Sequence, residues 1–243
     1  MWRSSPLAAV ATLFVSHVLL LYPTLKPDCQ WFGPVITGFR TDRKEVWLTI
    51  DDGPSDESLP LLDLLDRYQA RATFFVKGAL CAGQPEQLRT IIERGHQLGN
   101  HSQTHPSATF WCLPPGRIAD EIDGCSESIT GATGREVSLF RAPIGHKNPF
   151  VHPMLSKRNM TLIGWSARGF DAVASSPERS AAMILKNVRP GAIILLHEGH
   201  MVDGRSMTYR CIELVLQSLA SDGYDFVIPA VGSFDTGARN VSR

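Results

Sequence analysis

The feature that most constrains the fold is an alternation of short apolar segments with amphipathic ones along residues 46–229. The apolar segments are rich in β-branched and aromatic residues and are bounded by turn residues, which is typical of buried strands. The segments between them space apolar residues three or four apart, as helices do. The predicted strands are 46–52, 72–76, 96–100, 138–142, 161–166, 192–196 and 225–229. The predicted helices are 57–69, 85–94, 117–130 (ending at Gly131), 149–158, 177–188 and 207–220.

Strands that are separated by helices of this length predict a parallel sheet. The count of seven strands, and the lack of a glycine-rich dinucleotide fingerprint, favour a closed barrel over an open Rossmann sheet. A chain of 243 residues suits one large domain of this kind. The predicted fold class is therefore α/β, a (β/α)7 TIM-like barrel.

Composition argues against a nucleic-acid-binding protein. Lys plus Arg and Asp plus Glu number 24 each, so the formal net charge is zero, and no basic run interrupts the sequence. The five cysteines show no C-x-x-C spacing, which argues against a zinc or redox motif of that type. We interpret most of them as small buried residues; a Cys112–Cys125 disulfide stays open if the domain is exported.

The N-terminus is a separate unit. Residues 6–22 are almost wholly apolar and follow Arg3, and their length is close to the minimum for a membrane-spanning helix. No small-residue cleavage site follows, so we predict an uncleaved transmembrane signal-anchor over 1–22 with the domain outside the cytoplasm. A cleaved signal peptide is the alternative. We predict a linker over 23–44, the globular domain over 45–235 and a C-terminal tail over 236–243.

The first predicted strand ends in two adjacent carboxylates, Asp51 and Asp52, followed by Gly53-Pro54. Adjacent like charges repel, and burying them is costly unless a cation or a donor compensates. A solvent-exposed turn is the plain alternative, because Asp-Gly pairs are common in turns. The carboxyl ends of barrel strands converge on one face, so the residues at the other strand ends decide between these interpretations.

Titratable and aromatic side chains stand at those other strand ends: His101 and His105 after the third strand, Arg141 after the fourth, Trp165 and Asp171 after the fifth, and His197 after the sixth. In a helical turn His101 and His105 would share a face and reach one ion. Two histidines and a carboxylate, with one position open, are a common catalytic zinc set. Taken singly, each residue has an ordinary interpretation, such as a surface histidine, a structural ion pair for Arg141 or a helix cap for Asp171.

Together these residues resemble the polysaccharide deacetylase family, which is carbohydrate esterase family 4 or the chitooligosaccharide deacetylase (NodB) homology domain. The matching motifs are Thr49-Ile50-Asp51-Asp52-Gly53-Pro54, His101-Ser102-Gln103-Thr104-His105, Arg141-Ala142-Pro143, Trp165 with Asp171, and Leu195-Leu196-His197. They occur in the family's order and cover about residues 45–230. The resemblance implies a distorted barrel that often lacks a strand.

The resemblance also implies a hydrolase of linear amides that removes an N-linked acyl group, most commonly acetyl, from an amino sugar by attack of metal-activated water. The substrate would be a cell-envelope glycan, an oligosaccharide or a lipid-linked saccharide. The implied roles are Asp51 as general base, Asp52, His101 and His105 as ligands of one divalent metal ion, most commonly zinc, and Arg141 as partner of the base. His197 would be the general acid, Asp171 its acidic partner, the Ile144 backbone N–H an oxyanion donor, and Pro143, Trp165 and Leu195 substrate contacts.

Two other functions stay open. One is an inactive, membrane-tethered carbohydrate-binding module, and the other is a deacylase of a small non-sugar amide. The family commonly has Tyr at Ile144, Trp at Ala172 and Asp at Glu198, so this chain lacks surfaces on which a sugar stacks. An inactive copy is expected to have lost one of the motif acids or histidines, and none is lost here. The predicted location is the bacterial cell membrane, crossed once, with a secreted or periplasmic protein as the alternative.

Overall fold

The computed structural model describes residues 6–202 and 205–236. Its strands are β1 (Gly38–Phe39), β2 (Glu45–Asp51), β3 (Ala72–Val76), β4 (Gln97–Asn100), β5 (Leu139–Phe140), β6 (Thr161–Leu162), β7 (Ala167–Arg168), β8 (Ala192–His197), β9 (Met201–Val202), β10 (Arg205–Ser206), β11 (Asp225–Phe226) and β12 (Phe234–Asp235). Its α-helices are α1 (Pro6–Leu25), α2 (Ser58–Arg67), α3 (Gly78–Cys81), α4 (Pro85–Glu93), α5 (Pro115–Thr133), α6 (Val151–Ser156), α7 (Pro177–Leu185) and α8 (Met207–Ser221). Single 3₁₀ turns lie at Phe110–Cys112, Pro143–Gly145 and Val231–Ser233.

The main sheet curls into a distorted α/β barrel, as predicted. Neighbouring strands follow the order β8, β2, β3, β4, β5 and β6, and all of these pairs are parallel. A parallel bridge joins Ile36 to Ile163, and β1, two residues further on, pairs with β8. The segment from Ile36 to Phe39 thus bridges β6 and β8 where the sheet curls back on itself.

The fifth and seventh predicted strands differ from the structure. The fifth, predicted over 161–166, is reduced to β6, and β7 begins just after its predicted end and pairs with β8. The seventh is reduced to β11, which pairs only with Glu45 and Val46 at the start of β2. From Leu48 onward β2 has β3 on one side and β8 on the other, so a further strand has nowhere to pair.

Strand β2 shows how the sequence pattern positions the site. Val46, Leu48 and Ile50 pack against the layer of helices outside the sheet, whereas Trp47 belongs to the cluster inside the barrel. Because side chains alternate along a strand, Thr49 and Asp51 share the inner face with Trp47. Asp51 therefore lies at the carboxyl end of the barrel interior, with no more than 2% of its surface exposed.

The N-terminal segment is more closely joined to the barrel than predicted. Helix α1 has an exposed apolar stretch, Ala8–Leu25, that is long and apolar enough to cross a membrane by length and composition. Residues 23–44 do not form a free linker, since Cys29 and Val35 are buried and β1 belongs to the main sheet. Segment burial of this kind depends on distant partners, which a proline-rich local sequence does not reveal.

Two local expectations are also corrected. Helix α5 runs through Gly131 and is capped by Gly134, which has the left-handed φ of 70° that a helix C-cap favours. Cys112 is exposed and Cys125 is buried, and both are free thiols, so the open Cys112–Cys125 pairing is not formed.

Candidate metal and catalytic site

The two adjacent acids lie where β2 ends and the chain turns. Asp51 is the last residue of β2, and Asp52 has a left-handed φ of 79°. Asp51 Oδ2 lies 3.5 Å from His101 Nε2, and Asp52 Oδ1 lies 3.9 Å from the same nitrogen. The turn therefore directs both carboxylates toward one imidazole, which explains how two like charges are placed side by side.

His101 and His105 lie in a loop, so the predicted helical turn is wrong. Ser102 and His105 have left-handed φ values of 67° and 53°, which no helix contains. Glu121 stabilises the loop by accepting hydrogen bonds from the backbone N–H and the hydroxyl of Thr104, at 2.8 and 2.6 Å. The two imidazole rings nevertheless come within 4.6 Å, centroid to centroid.

Asp52, His101 and His105 can hold a metal ion. Their candidate ligand atoms all lie within 4.8 Å of one another, and Asp52 Oδ1 is buried without a hydrogen-bond partner in the described residues. His101 Nδ1 contacts the Arg141 carbonyl oxygen at 2.9 Å, which requires the proton on Nδ1 and leaves Nε2 free as a ligand. Burial, and then the charge of His101, lower the pKa of His105 to about 4, so this ring is neutral at pH 7. The donor set suits zinc with an open coordination position.

Arg141 is fully buried and holds Asp51 in place. Its Nη1 donates to Asp51 Oδ1 at 2.7 Å and to Thr49 Oγ1 at 2.8 Å, while Nη2 donates to the Gly164 carbonyl at 2.9 Å. Burial lowers the pKa of Arg141, and the charge of Asp51 acts in the opposite direction. One Asp51 oxygen is thus bound to the guanidinium, and the other faces His101.

His197 lies beside Asp51, because β8 and β2 pair these two residues in register. Its Nδ1 lies 3.0 Å from Asp171 Oδ1, and its backbone N–H donates to Asp171 Oδ2 at 2.8 Å. Burial favours the neutral ring, but the hydrogen bond and the charge of Asp171, with smaller contributions from Asp51 and Asp52, raise the pKa of His197 to about 9. The imidazole is therefore charged at neutral pH and able to give up a proton.

The remaining predicted residues lie around this centre and differ in how exposed they are. Ile144 is 47% exposed, and its backbone N–H has no protein acceptor in the described part of the chain. The Trp165 ring lies 5.8 Å from the Arg141 guanidinium. Pro143 is buried beneath the turn that carries Ile144, and Leu195 is 5% exposed in the middle of β8. The structure thus brings Ile144 and Trp165 to the surface of the site and leaves Pro143 and Leu195 in its walls.

Sequence reasoning assigned no role to three polar residues near the acids. Lys77 follows β3 directly, and its Nζ lies 3.4 Å from Asp52 Oδ1. Thr49 lies two residues before Asp51 on the same face of β2 and orients Arg141. Glu198 is buried, and its Oε2 accepts hydrogen bonds from Ser55 and Ser58 at 2.7 and 2.6 Å. The position of Lys77 directly after the second predicted strand is the sequence signal that identifies it as a candidate.

The carboxyl end of the barrel thus carries an acid paired with arginine, a possible metal trio and a charged histidine, which are groups suited to a hydrolase site. The polysaccharide deacetylase family model matches residues 39–163, which is more than half of the chain. The chain is 31% identical to a chitooligosaccharide deacetylase of Bradyrhizobium sp. (strain ANU 289) over 75% of this chain and 87% of that protein. It is 30% identical to a peptidoglycan-N-acetylglucosamine deacetylase of Bacillus cereus, over 84% of this chain and 94% of the relative.

A solved structure shares the fold. It is a family 4 carbohydrate esterase pseudoenzyme from Bacillus anthracis, 26% identical, with a TM-score of 0.69 over 78% of this chain and 65% of the other. The chain therefore belongs to the polysaccharide deacetylase family, whose members hydrolyse carbon–nitrogen bonds of linear amides. The pseudoenzyme also shows that the fold alone does not establish activity, so the residues of the site must carry that argument.

Proposed function

We propose that this chain is a metal-dependent deacylase that removes an N-linked acyl group, most commonly acetyl, from an amino sugar. The observation that carries the proposal is the convergence of three groups at one barrel end: the Arg141–Asp51 pair, the Asp52–His101–His105 trio and the charged His197. An ordinary structural ion pair or a surface histidine would account for only one of these three groups. The catalytic domain is assigned to residues 45–235, supported by the family match that begins at residue 39.

Each residue has a role that its contacts support. A divalent ion held by Asp52, His101 and His105 would supply Lewis-acid activation of water. Asp51 accepts the proton of the attacking water at Oδ2, because Arg141 occupies Oδ1 and keeps the carboxylate oriented.

The second half of the reaction concerns the oxyanion and the leaving amine. The Ile144 backbone N–H donates to the oxygen that becomes negative during attack, as backbone N–H groups do in oxyanion holes. His197 then delivers a proton from its ring to the leaving nitrogen. Asp171 keeps His197 protonated until that step, as the raised pKa of about 9 indicates.

A membrane location is proposed on a separate observation, the apolar N-terminal helix α1. Helix α1 is apolar and mostly exposed over Ala8–Leu25, so we propose a single-pass anchor with the barrel outside the cytoplasm. A secreted or periplasmic protein that has lost this helix is the alternative. Of the substrates open from the sequence, a lipid-linked saccharide is the one that an anchor of this kind brings closest to the site.

Acetate release by the purified full chain tests the proposal. The panel contains N-acetylated chitooligosaccharides, peptidoglycan fragments and a lipid-linked N-acetyl sugar, each with and without a chelator. Asp51→Asn is expected to abolish release, whereas the surface variant Asp120→Asn retains it, because Asp120 makes only an exposed pair with Arg117. Activity that survives both chelation and Asp51→Asn contradicts the mechanism. Glycan binding without release from any substrate would instead support the inactive carbohydrate-binding module.

A further inference from the structure

A cavity of about 700 Å³ has Trp165 in its wall and is not used by the proposed mechanism. It is bounded by the residues that follow α1, by β7, and by the end of α7 with the loop leading to β8. Three cations line it, Lys26, Arg168 and Arg189, against one acid, Asp28. The cavity is therefore positively charged, although the whole chain has no net charge.

Arg168 is the best-defined of these cations. Its guanidinium lies 4.1 Å from the Phe170 ring centroid and 5.7 Å from that of Trp165, so two aromatic rings fix its position. Within residues 6–202 and 205–236, no carboxylate pairs with Arg168, whereas the half-buried Arg158 is paired with Asp123. A partly buried, oriented guanidinium without a counter-charge is suited to bind an anion from outside the chain.

Trp165 connects the cavity to the catalytic centre. Its indole contributes to the cavity wall and lies 5.8 Å from the guanidinium of Arg141. The same ring packs beside Gly145, the residue after Ile144, where an added Cβ would lie 2.5 Å from it. One aromatic side chain thus contributes to the wall of the cavity and also lies close to the arginine that holds the base.

The cavity lies at the end of the apolar helix α1. Lys26 follows α1 directly. Lys147, four residues after Pro143 on the catalytic loop, donates from Nζ to the carbonyls of Lys26 and Pro27 at 2.8 and 3.0 Å. The backbone N–H of Lys147 donates to the Thr24 carbonyl at 3.2 Å. These bonds join the end of α1 to the loop that carries Ile144, so the cavity stays where the anchor would enter a bilayer.

We propose that this cavity binds the phosphate of a lipid-linked amino sugar while the acylated sugar occupies the catalytic centre. Arg168, Lys26 and Arg189 pair with the phosphate ester, and Trp165 lies between the phosphate and the reacting amide. A neutral polymer such as chitin has no group that uses these cations. The inference rests on the proposed deacylase function and specifies its substrate class.

Competing substrates test this with the full chain in detergent. The pair is an N-acetylglucosaminyl-phosphoryl polyprenol and the matching N-acetylglucosaminyl polyprenol ether without phosphate. Wild type is expected to prefer the phosphate substrate by about tenfold or more in kcat/KM, mainly through KM. Arg168→Gln is expected to remove most of that preference, while Arg179→Gln, an exposed arginine on α7 outside the cavity, keeps it. The inference is overturned if Arg168→Gln prefers the phosphate substrate as strongly as wild type does. It is also overturned if wild type shows no preference between the two substrates.

Binding without turnover separates this inference from the proposed function. Farnesyl phosphate is expected to bind the full chain more tightly than farnesol, and Arg168→Gln to weaken the phosphate ligand alone. If farnesyl phosphate binds but no substrate releases its acyl group, the phosphate site is supported and the deacylase function is contradicted. If acyl release occurs without phosphate-dependent binding, the deacylase function is supported and the phosphate site is contradicted. Nanodiscs with and without phosphatidylglycerol distinguish the source of the phosphate. If phosphatidylglycerol competes with farnesyl phosphate for binding, the cavity binds bulk lipid headgroups and the substrate assignment is overturned. If phosphatidylglycerol does not compete, the substrate assignment is supported.

Discussion

The interaction of Asp171 with His197 sets the pH range of the proposed reaction. Raising the pKa of His197 from 6.5 to about 9 corresponds to about 3 kcal/mol in favour of the charged ring. Burial alone acts in the opposite direction, so the acids around His197, with Asp171 the largest contributor, together provide more than the whole net effect. Replacing Asp171 with Asn keeps the shape and one acceptor but removes the charge.

In Asp171→Asn the pKa of His197 is expected to fall from about 9 toward 6.5, because burial is then opposed only by the charges of Asp51 and Asp52. At pH 7.5 a group with a pKa of 6.5 is about one-tenth protonated, so kcat/KM is expected to fall by up to about tenfold. The alkaline limb of the profile should move from near pH 9 toward pH 6.5. The assay is acetate release across pH 5 to about 10, on any substrate that the wild type turns over.

Stability provides a second measurement on the same variant. Because the pKa of His197 is raised on folding, its contribution is fully present below pH 6.5 and is lost as pH rises through about 9. The difference in Tm between wild type and Asp171→Asn should therefore be largest near pH 6 and shrink above pH 9. An alkaline limb that stays near pH 9 in the variant, with only a lower amplitude, would refute the assignment of Asp171 as the group that keeps His197 charged.

Three further predictions concern the groups around the acids. His105→Ala is expected to reduce bound divalent metal from about one ion per chain to well below that, measured by elemental analysis, while His146→Ala keeps it; equal metal content in both contradicts the ligand trio. Arg141→Met leaves Asp51 buried and unpaired, so it should lower the free energy of unfolding by about 3–5 kcal/mol in urea titrations, against at most about 1 kcal/mol for the exposed Arg117→Met. Glu198→Gln should raise the free energy of unfolding at pH 8 by up to about 3 kcal/mol and change little at pH 4. Burial, opposed by Ser58 and Ser55, raises the pKa of Glu198 from 4.5 to about 7, so its destabilising effect grows between those values. A stabilisation equal at both pH values would contradict the last prediction.

Most of the site was predictable because its residues stand at strand ends. Asp51 and His197 end apolar strands and Arg141 follows one, the limits of these strands are visible in the sequence, and parallel strands bring their carboxyl ends to one edge. The motif order then pointed to the family, which the family match and the relatives confirm. The roles of these residues stay predictions until they are measured.

The sequence alone determined the order of strands and helices, the barrel class and the family, because these follow from local periodicity and from motifs. Only the tertiary structure decided that residues 23–44 join the sheet, that Lys77 reaches Asp52, and that the His101–His105 loop is left-handed rather than helical. It also decided that Lys26, Trp165 and Arg168 share one cavity, although more than a hundred residues separate Lys26 from the other two. Packing between distant segments brings such residues together, and the local sequence around each residue does not indicate its distant partners.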